Sequence, residues 1–317
     1  MPGGTDDRRA RTRARWAVEL GAAARAHWTE ERTRALTGGK RLAVLPAEAP
    51  VLLRALGLLH RDATMPPAQV RKFLQINHVV RVLEPALAAL AARHPVIRIV
   101  DAGCGRSYLT LLLAWCARER WRHPVEILGV DRNPDVIAEC RRRTALAELD
   151  DVVRFEVARL EDVRIPDIHA VLALHACDTA TCDAIALGAA RAADLIAVAP
   201  CCQAELARAW AELAERDDLD LGPGPGPGPG PGGFAPIWRA PHLRREIAAH
   251  VTDAMRALLL RAAGYRVTAL EFVPAEHTAK NTLLRAVRAE PDPGARAEYD
   301  ALVAATGGAG LALAARL

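Results

Sequence analysis

The stretch that most narrows what this chain can fold into is "VIRIVDAGCGRSYLTLLL", residues 96–113. An aliphatic run ends in Asp101, passes through Gly103 and Gly105, and opens at once into helical apolar spacing. A strand that hands over so quickly to a helix reads as the start of a crossover, and parallel neighbours require crossovers. Runs of the same texture follow in "VEILGVD", "VVRFEVA", "IHAVLALHA" and "ADLIAVAP", the first of them separated by the helix-like "YLTLLLAWCARERW" and "PDVIAECRRRTALAEL". Near-continuous apolar strands alternating with helices predict an α/β fold with a parallel sheet covered on both faces. Two last runs, "YRVTALEFV" and "KNTLLRAVRA", are joined by the polar "PAEHTA" and predict an antiparallel hairpin at the sheet edge.

The rest of the chain is organised around that core. Residues 1–92 read as a helical N-terminal region with a basic arm, from the three- and four-residue spacing in "WAVELGAAARAHW", "VLLRALGLL" and "VRKFLQINHVVRVLEPALAAL". Residues 93–290 form the α/β domain, and residues 291–317 a helical tail. Within the domain, residues 222–233, "GPGPGPGPGPGG", cannot be helix or ladder strand, because proline lacks the donor and glycine resists ordering. They read as a solvated loop insertion.

Composition enters where partners are at stake. With 51% hydrophobic and 25% charged residues the chain can bury a sizeable core. The formal charge is only +4, yet "RRARTRAR" at residues 8–15 concentrates cation at the amino terminus. Such an arm either tracks a phosphate backbone or is a solvated helical extension. Lys40, Lys72 and Lys280 are the only lysines, so arginine richness is general in this chain. Seven cysteines, an odd number, and a polar amino terminus without an apolar core segment predict free thiols in a reducing, cytoplasmic setting. No charge-free stretch reaches the roughly 18 residues needed to span a bilayer, so no membrane partner is expected.

The glycine turn limits the ligand. A dinucleotide fingerprint would place a third glycine at Tyr108, and it is missing. Instead the strand ends in Asp101 directly before the glycines, and the next strand ends in Asp131. A carboxylate there repels a pyrophosphate but suits a cationic ligand, while Asp131 can accept hydrogen bonds from both hydroxyls of a ribose. A nucleoside with an amino-acid tail and a positive sulfonium satisfies both.

"DAGCGRSYLT", with "GVDRNPDVI" one unit later, resembles the class I S-adenosylmethionine-dependent methyltransferases over about residues 70–290. The resemblance implies a Rossmann-like seven-stranded sheet with the last strand antiparallel, and S-adenosyl-L-methionine across the carboxyl ends of the first strands. The usual third glycine of the turn is Ser107 here. "QVRKFLQINHVVRVLE", "LHACDTATCDAI", "PCCQ" and "EHTAKNTLLRA" together resemble the domain of methyltransferase-like proteins and, distantly, tRNA 2'-O-methyltransferases that modify the acceptor stem.

By position the resemblance assigns the cofactor to Asp101, Gly103, Gly105 and Asp131, with Leu160 and Glu161 or Asp162 at the adenine, although Arg159 stands where an aspartate is often found. His175 and Asp178 fall just past the fourth strand, where a histidine could take a proton during transfer or cap the strand end. Cys201 and Cys202 admit three readings: zinc ligands together with His175 and Cys177, a nucleophilic thiolate, or small residues in a tight turn beside the cleft. His277, Lys280 and Asn281 in the last hairpin, and Gln75 on the helix before the first strand, are candidates to face the acceptor. The expected function is methyl transfer to oxygen or nitrogen of RNA. Transfer to a small molecule and a non-catalytic interaction module are the alternatives, and the oligomeric state is left open.

Overall fold

The computed structural model describes residues 3–174, 179–200, 203–218, 234–271 and 281–317. The amino-terminal region is helical, as α1 (Gly3–His27), α2 (Glu30–Thr37), α3 (Pro50–Ala55) and α4 (Pro67–Ala91). Leu20 and Ala24, four apart on α1, pack with Ala63 in a small core flanked by Trp16, Ala23, Trp28 and Val51. Thr29 caps α2 by accepting from the Arg32 N–H. The apolar spacing of "VLLRALGLL" predicts a longer helix than α3, which stops at Ala55 because Gly57 adopts a left-handed φ of 72°. On α4, Phe73, Ile76, Val80, Leu83, Leu87 and Leu90 recur every three or four residues and are all buried.

The α/β part then runs β1 (Ile97–Ala102), α5 (Tyr108–Trp115) with a π-helical continuation to Trp121, β2 (Val125–Asp131), α6 (Pro134–Ala147), β3 (Val153–Val157), β4 (Ala170–Ala173), α7 (Thr179–Ala190), β5 (Leu195–Val198), α8 (Glu205–Asp218), α9 (Ala235–Arg239), α10 (Pro241–Ala262), β6 (Tyr265–Glu271), β7 (Thr282–Arg288) and α11 (Ala295–Ala305). Asn133 caps α6 through its side-chain oxygen, with Pro134 in the first helical position.

These strands form one sheet in the order β3-β2-β1-β4-β5-β7-β6. β1, β4 and β5 run parallel, Val171 pairing with Val100 and with Ile196. β7 is antiparallel to both neighbours, with Ile196 opposite Ala286 and Val267 opposite Ala286 on the other side. Burial follows place in the sheet. β4 and β5, inside it, are buried at every residue, whereas the edge strands β3 and β6 expose much of their length.

The chain divides into two compact units: residues 1–97, 105–129 and 133–157, and residues 98–104, 130–132 and 158–317. In the first, Asn77 on α4 is buried and holds residues 42–45, its Oδ1 accepting from the Val44 N–H at 2.7 Å. In the second, Tyr265 at the start of β6 donates to the Ala193 carbonyl just before β5 at 2.9 Å. Among the described residues, no helix is long and apolar enough to cross a membrane.

Candidate functional site

The carboxyl end of β1 builds the first part of the site. Asp101 is buried, and the Gly103 and Cys104 N–H groups that follow it both donate to the Val130 carbonyl, at 2.8 and 3.0 Å. One carbonyl near the end of β2 thus fixes the course of the turn. Gly103 and Gly105 have φ of 69° and 50°, a left-handed backbone that glycine adopts without a Cβ penalty. Ser107 continues the alternation with φ 57° and ψ 23°. It is fully buried, and its Oγ has no hydrogen-bond partner among the described residues.

The carbonyls on the far side of the turn are taken by α6. Cys140 Sγ donates to the Gly105 carbonyl at 3.1 Å, and Arg143 Nη1 to the Arg106 carbonyl at 2.7 Å. Arg143 is held in turn by Glu139, which also accepts two bonds from Arg142. Donation from Arg142, reinforced by Arg143, draws the Glu139 carboxyl from about 4.5 down to about 2. Tyr108 meets two cations, with Lys72 Nζ 4.3 Å and the Arg143 guanidinium 5.4 Å from its ring centre.

Asp131 ends β2, half-buried, and its backbone carbonyl accepts the Ala158 N–H at 3.2 Å. That bond brings the segment after β3 to the end of β2. There Leu160 begins a short 3-10 turn, Leu160–Asp162, and is half-buried; Glu161 is exposed and paired with Arg159 at 2.7 Å. Leu160 and Glu161 face a cleft of about 220 Å³ shared with Arg132 and α7. Backbone bonds thus tie the turn after Asp101 to the end of β2, and the end of β2 to the segment that carries Leu160 and Glu161.

The candidates for the acceptor side are distributed differently. Gln75 is half-buried on α4, one turn on from Lys72. Asn281 is buried just before β7 and donates Nδ2 to Glu271 Oε1 at 3.0 Å, clamping the base of the hairpin. His175, Asp178, Cys201, Cys202, His277 and Lys280, and Cys177 of the zinc reading, lie outside the described residues. Among the described residues no group of three His, Cys, Asp or Glu side chains is placed to hold a metal ion.

One buried network was missed by sequence reasoning. Gln203, directly after the cysteine pair, donates to Asp253 Oδ2 at 3.0 Å, and Arg256 Nη1 donates to Asp253 Oδ1 at 3.1 Å. Arg256 is fully buried and also reaches Cys182 Sγ, in the first turn of α7, at 3.4 Å. Burial pushes the Cys182 thiol up, and the nearby guanidinium only partly offsets it. The signal available was a charged pair at i,i+3 within the apolar "TDAMRALLL" of α10.

Compared with known proteins, residues 71–209 match a family model described as a methyltransferase domain. Two similar solved structures are the SAH-bound magnesium protoporphyrin IX methyltransferase of Synechocystis PCC 6803 and an SAH-bound methyltransferase of Podospora anserina. The first is 14% identical, with a TM-score of 0.40, 76% of this chain and 93% of that one being covered. The second is 14% identical, with a TM-score of 0.45 and coverages of 83% and 97%. No curated protein matches the chain.

Proposed function

We propose, from the premise that this chain is a class I S-adenosylmethionine-dependent methyltransferase, that its acceptor is an oxygen or nitrogen of RNA. The premise stands on the sheet order with its antiparallel β7 and on the match over residues 71–209. The observation that carries the chemistry is the end of the sheet where Asp101, the glycine turn and Asp131 are fixed around the Val130 carbonyl.

The residues present fit the cofactor. Left-handed glycines let a ligand approach the backbone closely, the Asp131 carboxylate can accept from ribose hydroxyls, and the buried Asp101 gives the negative charge that a sulfonium with an ammonium tail requires. Leu160 supplies an apolar contact for the base. When bound, the cofactor supplies a methyl group activated by a positive sulfur. The chain must then align the acceptor atom with that carbon and receive the proton the acceptor gives up. His175, after β4, is the residue we assign to that proton, with Asp178 beside it in sequence. Cys201 and Cys202 follow β5; a nucleophilic thiolate there would lose nearly all activity on replacement by serine, and a turn residue would keep most of it.

The RNA part of the reading is supported by the arginine arm at residues 8–15 and by the motif set that resembles RNA-modifying members of this fold. Incubation with S-adenosylmethionine labelled in the methyl group and whole-cell extract tests it. Label in RNA supports the reading, label only in small molecules replaces it with the small-molecule alternative, and cofactor binding without label in any fraction replaces it with the non-catalytic one.

A further inference from the structure

We propose that a cleft in the first unit, lined by Arg54, Arg61, Arg142, Arg143 and Trp16, is where the phosphate backbone of the RNA docks. The inference rests on the RNA reading above and gives it a location.

The cleft has a volume of about 650 Å³, within the roughly 300–1,000 Å³ of small-ligand sites. Three parts of the sequence converge on it. α1 brings Trp16 and Glu19, α3 and the loop after it bring Arg54 and Arg61, and α6 brings Arg142 and Arg143. Among the described residues Glu19 is the only acid on its wall, and Arg15 already engages that carboxylate at 2.8 Å. Glu139 offsets part of the charge of Arg142 and Arg143 from the α6 side. The cleft therefore keeps a cationic excess, and an anion entering it relieves repulsion among guanidiniums.

The arginines differ in what they are free to do. Arg143 is nearly buried and fixed to Glu139 and the Arg106 carbonyl; Arg54 donates to the Leu59 carbonyl at 3.0 Å. These two are scaffold. Arg61 and Arg142 are exposed; Arg142 holds Glu139 through two bonds and must exchange them to close on a ligand, whereas Arg61 can turn to it directly, and a planar guanidinium fork matches phosphate oxygens two at a time. Trp16 adds a second type of contact. Its indole is held in place by the Leu20, Ala24 and Ala63 core, so its aromatic surface is available at little cost in side-chain freedom. A base can stack on an aromatic ring next to a bound phosphate, which an acidic peptide or a lipid headgroup does not offer. Cations and an aromatic together favour a nucleic-acid strand.

The test uses the full chain and fluorescently labelled total tRNA, with binding followed by anisotropy over a range of salt. In R61E/R142E the affinity should fall at least about tenfold, and the slope of log affinity against log salt should become shallower by about two, one for each phosphate no longer neutralised. Trp16→Leu should weaken binding with the slope unchanged. A cooperative thermal unfolding transition and a parent-like circular dichroism spectrum certify that each variant is folded. If the parent chain binds tRNA and R61E/R142E binds with the same affinity and slope, the cleft is not the docking site and the RNA reading stands without it. If the parent chain does not bind tRNA even at low salt, both fail. If the variant keeps tRNA binding but loses binding to polyglutamate or to vesicles of anionic lipid, the cleft serves an acidic protein or a membrane and the proposal is overturned.

Discussion

At the scale of single residues, the proposed cofactor site turns on the acids at the ends of β1 and β2. Asp131→Ala removes a charged acceptor at the end of β2; a hydrogen bond to a charged group contributes about 1.5–3 kcal/mol, so titration calorimetry should show S-adenosylhomocysteine binding at least about tenfold weaker with the fold intact. Ser107 tests the turn from the other side. The sequence shows only that a glycine is replaced; the structure adds that the serine accepts the left-handed conformation and buries an Oγ without a described partner. Ser107→Gly should therefore stabilise the protein by about 1 kcal/mol in urea denaturation, the relief of the strained backbone exceeding the gain in unfolded-chain freedom. Glu139 gives a pH signature. Its carboxyl is depressed in the folded chain, so its stabilising effect is complete above about pH 4.5 and is lost as pH falls towards about 2. Glu139→Gln should cost about 1 kcal/mol at neutral pH, screened as this pair is by solvent, and the difference from the parent should vanish near pH 2.

At the scale of elements, α10 is the helix whose importance exceeds its sequence signal. Its Asp253–Arg256 pair is buried and holds Gln203 after β5 and Cys182 at the start of α7. Removing one partner leaves an uncompensated buried charge, so Arg256→Met or Asp253→Leu should each cost about 3–5 kcal/mol, and the double substitution should recover much of that loss in urea denaturation. The strands, and the positions of the acids proposed to hold the cofactor, were legible because their signals are local. Asp101 and Asp131 each end an apolar run, and the turn glycines sit beside the first of them. The Gln203–Asp253 contact was not legible, since it joins residues 50 apart whose approach depends on α10 packing against α8. The hairpin at the sheet edge was legible as well, from two apolar runs joined by a short polar segment. The place of α6 behind the turn did not, because a cysteine thiol and an arginine fork that bind carbonyls leave no periodic trace.

At the scale of the whole molecule, the question is what the amino-terminal helices add to the α/β core. α1 is packed from Trp16 onward, through Leu20 and Ala24. Deleting residues 1–13 removes Arg8, Arg9, Arg11 and Arg13 while leaving that packing in place. Thermal unfolding should be nearly unchanged, and the salt dependence of tRNA binding should become shallower by up to about four if each arginine meets a phosphate. An unchanged slope would make the arm a solvated extension. The sheet carries a different consequence, in the order of events on the ribosome. β5 is finished at Val198, but the strand that closes its open edge, β7, begins only at Thr282. At synthesis rates of about 5–20 residues per second, a fully apolar strand edge waits several seconds for its partner. Slow translation across that interval would prolong exposure of a template for pairing with other nascent chains, so the yield of folded protein should depend on how fast those codons are read.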